Sequence, residues 1–377
     1  MARVQLFVVL VLFTALIVSA RLTVRTGPPK PEELEGYSFD RFLHDFGKKY
    51  DVVEYMRRKI IFEQTLAKVR AHNANPKKLY VMGINHMSDW TPEEFTRING
   101  AKPRMMRHVS RKNLQKKYRK SGQPTPKALD YRTTFPAVLT AVKDQGGCGS
   151  CWAHSATESM ETHYALQSGK LFVLSQQQVS ACTPNPRHCG GTGGCAGGVE
   201  SLAYQYVHDI GGLSQEWANP YTGYYGQTGT CNNHTSKVVQ VKNYVSLPQN
   251  DQDALLEALV HKGPISVSVD ASNWATYGGG VFNGCDYSQN ITINHAVQLV
   301  GYGHDDKLNV DYWIVRNSWS PDWGENGYIR LLRTEKVECG WDVNAHDGSA
   351  CDGDPDTDWA CGMCGILYGS TYPVMEA

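Results

Sequence analysis

A glutamine, two cysteines and a tryptophan fall within eight residues of this chain, in the run Gln145-Gly146-Gly147-Cys148-Gly149-Ser150-Cys151-Trp152. An ionised cysteine sulfur is a strong nucleophile, and a nearby side-chain amide can donate to a developing oxyanion. The groups that would complete such a site occur far downstream. Asn294-His295-Ala296 offers an imidazole base, and Arg316-Asn317-Ser318-Trp319 offers an amide to orient it. Together they are the apparatus of acyl transfer. Taken alone, Cys148-x-x-Cys151 also fits a redox pair or half of a zinc site. Those readings leave Gln145, His295 and Asn317 without a role.

His295 lies 144 residues beyond Cys151, and Asn317 lies 166 beyond it. With the run C-G-S-C-W, this order resembles the papain-like cysteine proteases, and the whole chain resembles a cathepsin L-like precursor. The resemblance implies an α+β, two-domain fold. A helical left domain carries Cys151, a β-rich, barrel-like right domain carries His295, the cleft lies between them, and a helical inhibitory pro-segment precedes both. It implies Cys151, His295 and Asn317 as catalytic residues, with the Gln145 side chain and the Cys151 N–H as oxyanion donors. Trp319 would shield the His–Asn bond. Cys195-Ala196-Gly197-Gly198 aligns with the C-x-G-G run whose glycines let substrate backbone approach. Val199, Glu200, Asn294 and Gly369 fall at further substrate-binding positions. Glu200 and Gly369 suggest a deep, partly acidic pocket that takes basic as well as apolar P2 side chains. Disulfides carried over by the same motifs are Cys148–Cys195, Cys182–Cys231 and Cys285–Cys364.

At 377 residues the chain is long enough for at least two folding units. Arg3, the apolar run from Leu6 to Val18 and the small residues Val18-Ser19-Ala20 read as a secretory signal. Thirteen positions are too few for the ~20 that a spanning helix needs, so no stable membrane insertion is expected. The net charge of zero hides an asymmetry. Residues 1–124 hold 24 Lys and Arg against 11 Asp and Glu, and residues 125–377 hold 13 against 26. Balances of +13 and −13 predict that the basic part lies on the acidic part, rather than on nucleic acid. All eleven cysteines lie at or beyond Cys148. One free nucleophile and five bridges in an oxidising compartment account for the odd number.

The expected division is a signal over 1–20, a pro-segment over 21–124 and a mature peptidase over 125–377. Phe39, Phe42, Leu43 and Phe46 recur at helical spacing, and a longer helix is predicted over 52–73. In it, Glu54, Arg58, Ile61, Phe62, Val69 and Asn73 resemble the E-R-F-N-I-N pattern of cathepsin L-like propeptides, with Thr65 replacing the first Asn. Gly83-Ile84-Asn85-His86-Met87-Ser88-Asp89 resembles the companion G-x-N-x-F-x-D segment, with Met87 for Phe. Residues 102–120 carry Lys and Arg with no acid, and read as a solvated linker. The turn-rich run from Ser121 to Pro126 places the mature start between Lys120 and Lys127. Acid is expected to loosen the pro-segment by protonating carboxylates of the acidic part.

In the later part, 151–167 reads as a helix that puts Cys151 at its N-terminus, where N–H groups and the dipole favour a thiolate. Residues 265–269, 296–302, 312–316 and 328–332 read as strands. His154 is expected to be a packed histidine and His304 a loop residue. Two segments depart from the family pattern: Thr183–Gly194, with Cys189, and Glu338–Ala360, with Cys339 and Cys351. With Cys361 these leave four cysteines whose pairing the sequence does not fix. Asp352, Asp354, Asp356 and Asp358 alternate but follow no EF-hand register, so no metal is expected. Asn233 and Asn290 open glycosylation sequons.

The function expected is therefore a cysteine endopeptidase made as a zymogen, without a cofactor. Thr183–Gly194 lacks the paired histidines of one exopeptidase loop, and all three triad members are kept, unlike a non-catalytic relative. Expected partners are peptide or protein substrates, the chain's own propeptide and cystatin-like inhibitors, with a monomeric enzyme in the lysosome or outside the cell.

Overall fold

The computed structural model describes residues 27–100, 115–348 and 350–376. The predicted signal and most of the basic run 102–120 lie outside the described residues. The amino-terminal segment opens with helix α1 (Phe39–Asp45), whose Ser38 cap accepts from the Arg41 N–H. Helix α2 (Val52–Asn73) is capped by Asp51 in the same way. Its buried residues Arg58, Phe62, Leu66 and Val69 are spaced four, four and three apart, so they form one stripe. Phe62 from that stripe stacks on Phe42 of α1 at 4.7 Å. Thr65, where the resemblance leads one to expect Asn, bonds back to the Ile61 carbonyl at 3.0 Å, so the exchange is satisfied inside the helix.

Strand β1 (Tyr80–Met82) and helix α3 (Pro92–Ile98) complete the segment. Asn73 grips Met82 with both halves of its amide, at 2.8 and 2.9 Å. Arg58 reaches both carboxylate oxygens of Glu94, the Glu54 carboxylate and the Asp89 carbonyl. One guanidinium thereby ties α2 to the turn before α3.

Two lobes follow. The helical lobe holds α4 (Cys151–Ser168), α5 (Gln176–Cys182) and α6 (Glu200–Asp209) around Trp152, Met160, Val179 and Tyr204. Helix α4 stops at Gly169, whose φ of 71° is the left-handed end that glycine permits. Later come α7 (Gln252–Lys262) and the strands of the second lobe. In chain order the remaining strands are β2 (Gln115–Lys117), β3 (Leu129–Asp130), β4 (Leu213–Ser214), β5 (Lys237–Val239) and β6 (Val241–Ser246). Then come β7 (Ile265–Val269), β8 (Tyr277–Phe282), β9 (His295–Asp305), β10 (Val310–Arg316) and β11 (Tyr328–Arg333). The last are β12 (Cys339–Asp342), β13 (Asp358–Cys361) and β14 (Gly369–Met375). The main sheet runs β1-β8-β11-β10-β9-β7-β14-β6-β2, with β3 on β9. His304, expected in a loop, lies near the end of β9 and pairs with Asp311 at 2.7 Å. The alternation that marks a strand is lost there because β9 is buried along nearly its whole length.

Both outer strands of that sheet come from the amino-terminal segment: β1 pairs antiparallel with β8, and β2 parallel with β6. The basic run is therefore not a free linker where it is described. Beyond β2, Tyr118 donates to Glu257 on α7 at 2.9 Å, the N–H groups of Ser121 and Gly122 reach the same carboxylate, and Lys120 pairs with Asp251 at 2.9 Å. Sequence reading missed this because β2 is three residues long and draws its partner strand from residue 241 onward.

These contacts divide the response to pH. Hydrogen bonds from Ser121, Tyr118 and Gly122 hold Glu257 down to about 2, so its grip is complete above the ordinary carboxylate range and goes only as pH falls through about 2. At pH 4–5 the Glu257 carboxylate is therefore still ionised, so this one group is not where acid loosens the segment. His86 behaves oppositely: burial, aided by the Lys48 ammonium, lowers it to about 4, so the packed state favours the neutral ring. Its contribution is full above 6.5 and declines as pH falls towards about 4. Opening of residues 80–100, read as hydrogen-exchange rates divided by the intrinsic rates at each pH, should therefore rise between pH 6.5 and 4, by at most about tenfold per pH unit for this single group. His86→Asn should flatten that rise, whereas Glu257→Gln should loosen 118–122 at every pH in the range.

Candidate active site

Helix α4 lies along β9 and is joined to the sheet by a polar seam. Ser155 Oγ donates to the Val297 carbonyl at 2.9 Å, Ser159 Oγ meets Ser266 Oγ at 2.8 Å, and Gln298 donates to Thr162 Oγ1 at 3.2 Å. Residues 155, 159 and 162 share one helical face, so the seam fixes the register of α4 on the strand. That register sets the first residue of α4, Cys151, beside the first residues of β9. The Ala296 N–H lies against the Cys151 sulfur, next to His295.

His295 is buried, and its Nε2 bonds Asn317 Oδ1 at 2.8 Å. The Asn317 oxygen also accepts from the Ser318 N–H, which holds the amide with its oxygen towards the ring. Trp319 stacks on the imidazole at 4.7 Å, and Trp274 stands edge-on to it. Nδ1 has no hydrogen-bond partner although it is buried. A neutral ring with one nitrogen fixed and the other unengaged is ready to exchange a proton at the second.

Gln145 is fully buried. Ser318 Oγ donates to its Oε1 at 2.6 Å, so Nε2 is the outward donor. That donor reaches the Cys148 carbonyl at 2.8 Å and, across the cleft, the Ile98 carbonyl of α3 at 2.7 Å. The amino-terminal segment thus puts a peptide carbonyl on the predicted oxyanion donor. Gly100 follows directly over the sulfur: a Cβ there would stand 3.9 Å from Cys151 Sγ and 3.3 Å from Gly197 Cα. Upstream, Phe95 packs edge-on against Trp319 at 5.3 Å. The chain crosses the cleft from Trp319 past Gln145 and Cys151 to Gly197.

Its presence dries the site. Burial pushes the Cys151 thiol up to about 12, with the Glu200 carboxyl adding to the rise and the Ala296 N–H opposing it. Burial lowers His295 to about 4, against the support of Asn317. Thiol and imidazole are both neutral in this state, not the ion pair expected of a working enzyme. His154 is neutral as well: burial takes it down to about 3, and it packs edge-on to Tyr221 while bonding the Ser150 carbonyl.

Glu200 opens α6 as a buried carboxyl, 3.5 Å from Ser155 Oγ, and burial raises it to about 7. Gly369 pairs with Ser268 on β7, and Ser268 with Ala296 on β9. Asn294 is engaged locally, accepting from Ala271 and donating to Ser272. The three bridges carried over by motif are present, joined by Cys189–Cys351 and Cys339–Cys361, which leaves Cys151 free. Asn233 and Asn290 are exposed. Sequence reading missed Ser318 as the residue that orients Gln145, although it sits inside the Asn-Ser-Trp run. It also missed Tyr221, whose hydroxyl reaches the Gln145 carbonyl and Ser150 Oγ. No motif marks Tyr221, because a core tyrosine and a site tyrosine look alike in sequence.

Comparison with known proteins agrees with this geometry. Residues 125–348 match the papain family cysteine proteases, and residues 39–95 match the cathepsin propeptide inhibitor domain. Pro-cathepsin H of Medicago truncatula is 34% identical over 91% of this chain and 87% of its own length, and mouse cathepsin S is 36% identical over 81% and 87%. Digestive procathepsin L 3 of Tenebrio molitor larval midgut superposes with a TM-score of 0.69 at 31% identity, covering 89% of this chain and 97% of that one. The recombinant stem bromelain precursor gives the same TM-score at 32% identity, over 90% and 98%.

Because the thiol stays protonated while the amino-terminal segment fills the cleft, alkylation of Cys151 by iodoacetamide should be negligible in the full-length chain through pH 9. Removal of the segment should restore modification near neutral pH. The chain belongs to the papain family of cysteine proteases, and carries ahead of the protease the inhibitory pro-domain of a zymogen.

Proposed function

We propose that Cys151, His295 and Asn317 are the catalytic residues of this cysteine endopeptidase, with Gln145 as an oxyanion donor. The single observation that carries this reading is a pro-segment carbonyl, that of Ile98, bound to Gln145 Nε2 two residues before Gly100, which lies over the Cys151 sulfur. After the segment leaves, water enters and the thiol can pass its proton to His295. The thiolate, aided by the helix N-terminus, attacks the substrate carbonyl. His295 protonates the departing amine, a thioester forms, and water activated by the same ring hydrolyses it. Gln145 and the Cys151 N–H hold the oxyanion, each such donor typically contributing about 3–4 kcal/mol. Asn317 keeps the ring turned, and Trp319 keeps water from their bond.

The mature enzyme begins between residues 121 and 127, just past the clasp on Glu257, with 21–124 as propeptide and 1–20 as signal. It acts as a monomer in the lysosome or outside the cell, subject to cystatin-like inhibitors, and sequons Asn233 and Asn290 are open to glycosylation. Gly197, Gly198, Val199, Glu200, Asn294, Trp319 and Gly369 line the path of the substrate. Glu200 makes the P2 pocket acidic.

Labelling with an epoxide inhibitor of papain-like enzymes tests the core of this reading. The processed protein should take up one equivalent and lose all peptidase activity, and Cys151→Ser should take up none. Uptake elsewhere, or activity that survives labelling, would refute it. Glu200 supplies a separate prediction. With a folded value of about 7 it ionises as pH rises through neutrality, so preference for Arg over Leu at P2 should grow between pH 5 and 8. Glu200→Gln should remove that rise and cost roughly 10–100-fold in kcat/KM for Arg at P2, the worth of one charge-assisted hydrogen bond.

A further inference from the structure

The two segments that depart from the family pattern meet over one end of the cleft. One is Thr183–Gly194 in the helical lobe; the other spans the β12–β13 hairpin of the second lobe. Cys189 and Cys351 join them covalently, 162 residues apart in sequence. Their backbones also pair, from the Gly190 N–H to the Ala350 carbonyl at 3.1 Å and from the Asp352 N–H to the Arg187 carbonyl at 2.7 Å. The hairpin is closed on itself by its own bridge, Cys339–Cys361. It is fastened to the strand side of the cleft by Asp342, which accepts from the Ile293 N–H at 2.8 Å, and by the Trp341 carbonyl, which accepts from the Ile291 N–H at 3.1 Å.

The crossing point is a continuous run of backbone from wall to wall. A Cβ built on Gly190 would stand 2.7 Å from the Gly198 carbonyl oxygen and 2.8 Å from that of Gly348. A Cβ on Gly348 would in turn stand 2.7 Å from Asn294 Cα. Gly198 belongs to the helical side of the cleft and Asn294 immediately precedes His295. At contacts this close no chain can pass between Gly190 and either wall.

The reaction tells which end this is. The leaving amine takes its proton from His295, which lies against Trp319, so the carboxyl-terminal part of a substrate departs on the Trp319 side. The acyl part must run the other way from the sulfur, along Gly197 and Gly198. Gly100, over the sulfur, would place a Cβ 3.9 Å from Cys151 Sγ and 3.3 Å from Gly197 Cα, and a Cβ on Gly197 would meet the Gly190 carbonyl. At about 3.3 Å per residue, that leaves room for two residues between the sulfur and Gly190. The segment that closes the end is also acidic: residues 338–361 contain seven Asp and Glu and no Lys or Arg. A protonated amino terminus arriving there meets a favourable field.

We propose that this disulfide-joined strap closes the acyl end of the cleft beyond the second residue, and so gives the enzyme a second activity, the release of amino-terminal dipeptides. Endopeptidase cleavage within a long chain then requires the strap to be displaced. The first residue of the dipeptide is the one whose side chain enters the Glu200 pocket. The proposal rests on the protease reading above, and its test separates the two.

The processed enzyme, its active sites counted by epoxide uptake at Cys151, is compared on three fluorogenic amides with the same last two residues. One is a dipeptide with a free amine, one is that dipeptide acylated, and one is an acylated tetrapeptide. The free dipeptide should exceed both others at least tenfold in kcat/KM, and mass spectrometry of a long free-amine peptide should show successive loss of two residues. Cys189→Ser combined with Cys351→Ser, and a variant with residues 344–356 replaced by a short Gly-Ser turn, should each raise the tetrapeptide at least tenfold. Wild-type cleavage of the acylated tetrapeptide as fast as the free dipeptide would overturn the strap while leaving the protease intact. Absence of both epoxide uptake and cleavage would overturn the protease reading itself.

Discussion

The working geometry depends on how one helix is keyed to one strand. Helix α4 and strand β9 each begin with a residue proposed to carry the chemistry, Cys151 and His295. Two apolar surfaces of this size would slide past one another at little cost, since burial is insensitive to direction. The hydroxyls of Ser155, Ser159 and Thr162 are not insensitive. Each has a specific partner on the opposing sheet, and a shift of one residue would leave buried donors unpaired. The seam is therefore what converts two lobes into one site.

On that site the amino-terminal segment acts chiefly by excluding water. It occupies Gln145, the proposed oxyanion donor, with the Ile98 carbonyl and covers the sulfur with Gly100. The consequence is electrostatic as well as steric, because neither a thiolate nor an imidazolium is stable without solvent or each other. A neutral pair cannot start acyl transfer, so the same contact blocks substrate and disarms the nucleophile. Its anchors are spread widely: an outer strand at each edge of the sheet, Asn85 on the Ala275 carbonyl at 2.7 Å, and the clasp on Glu257. The opposite charges of the two parts supply general attraction, but at physiological salt this is screened within about 8 Å, and local hydrogen bonds decide where the segment sits.

The strap modifies the same cleft from the other end. Where the amino-terminal segment is removable, the strap is joined to the helical lobe through Cys189–Cys351 and held to the strand lobe by the chain itself and the bonds from Ile291 and Ile293. The aspartates that alternate along it are used in part to hold it together: Asp352 pairs with His188 at 2.8 Å, Asp354 with Arg187 at 3.1 Å and Asp356 with His346 at 2.9 Å. A surface loop pinned by disulfides, as the composition suggested, is also an element of the binding site.

Much of this was legible in the sequence. Helix α2 runs from Val52 to Asn73 as its periodicity and flanking signals predicted, and α4 begins at Cys151 and stops at Gly169 for reasons local to the chain. The residues proposed to carry the chemistry also come from the sequence, because a candidate nucleophile, base, orienting amide and oxyanion donor are distinct residue types in a recognisable order. What a linear chain could not reveal was anything decided by a partner far along it. Cys189 and Cys351 need partners, but the sequence does not name each for the other; the basic run 102–120 reads as a solvated linker; and His304 reads as loop because its strand is buried along nearly all of its length before it and shows no alternation. Residue types fix what chemistry is available, since that is a property of each side chain. Tertiary structure decided which groups face one another, which are dry, and how far a substrate can reach, because distance and desolvation exist only once the lobes have closed.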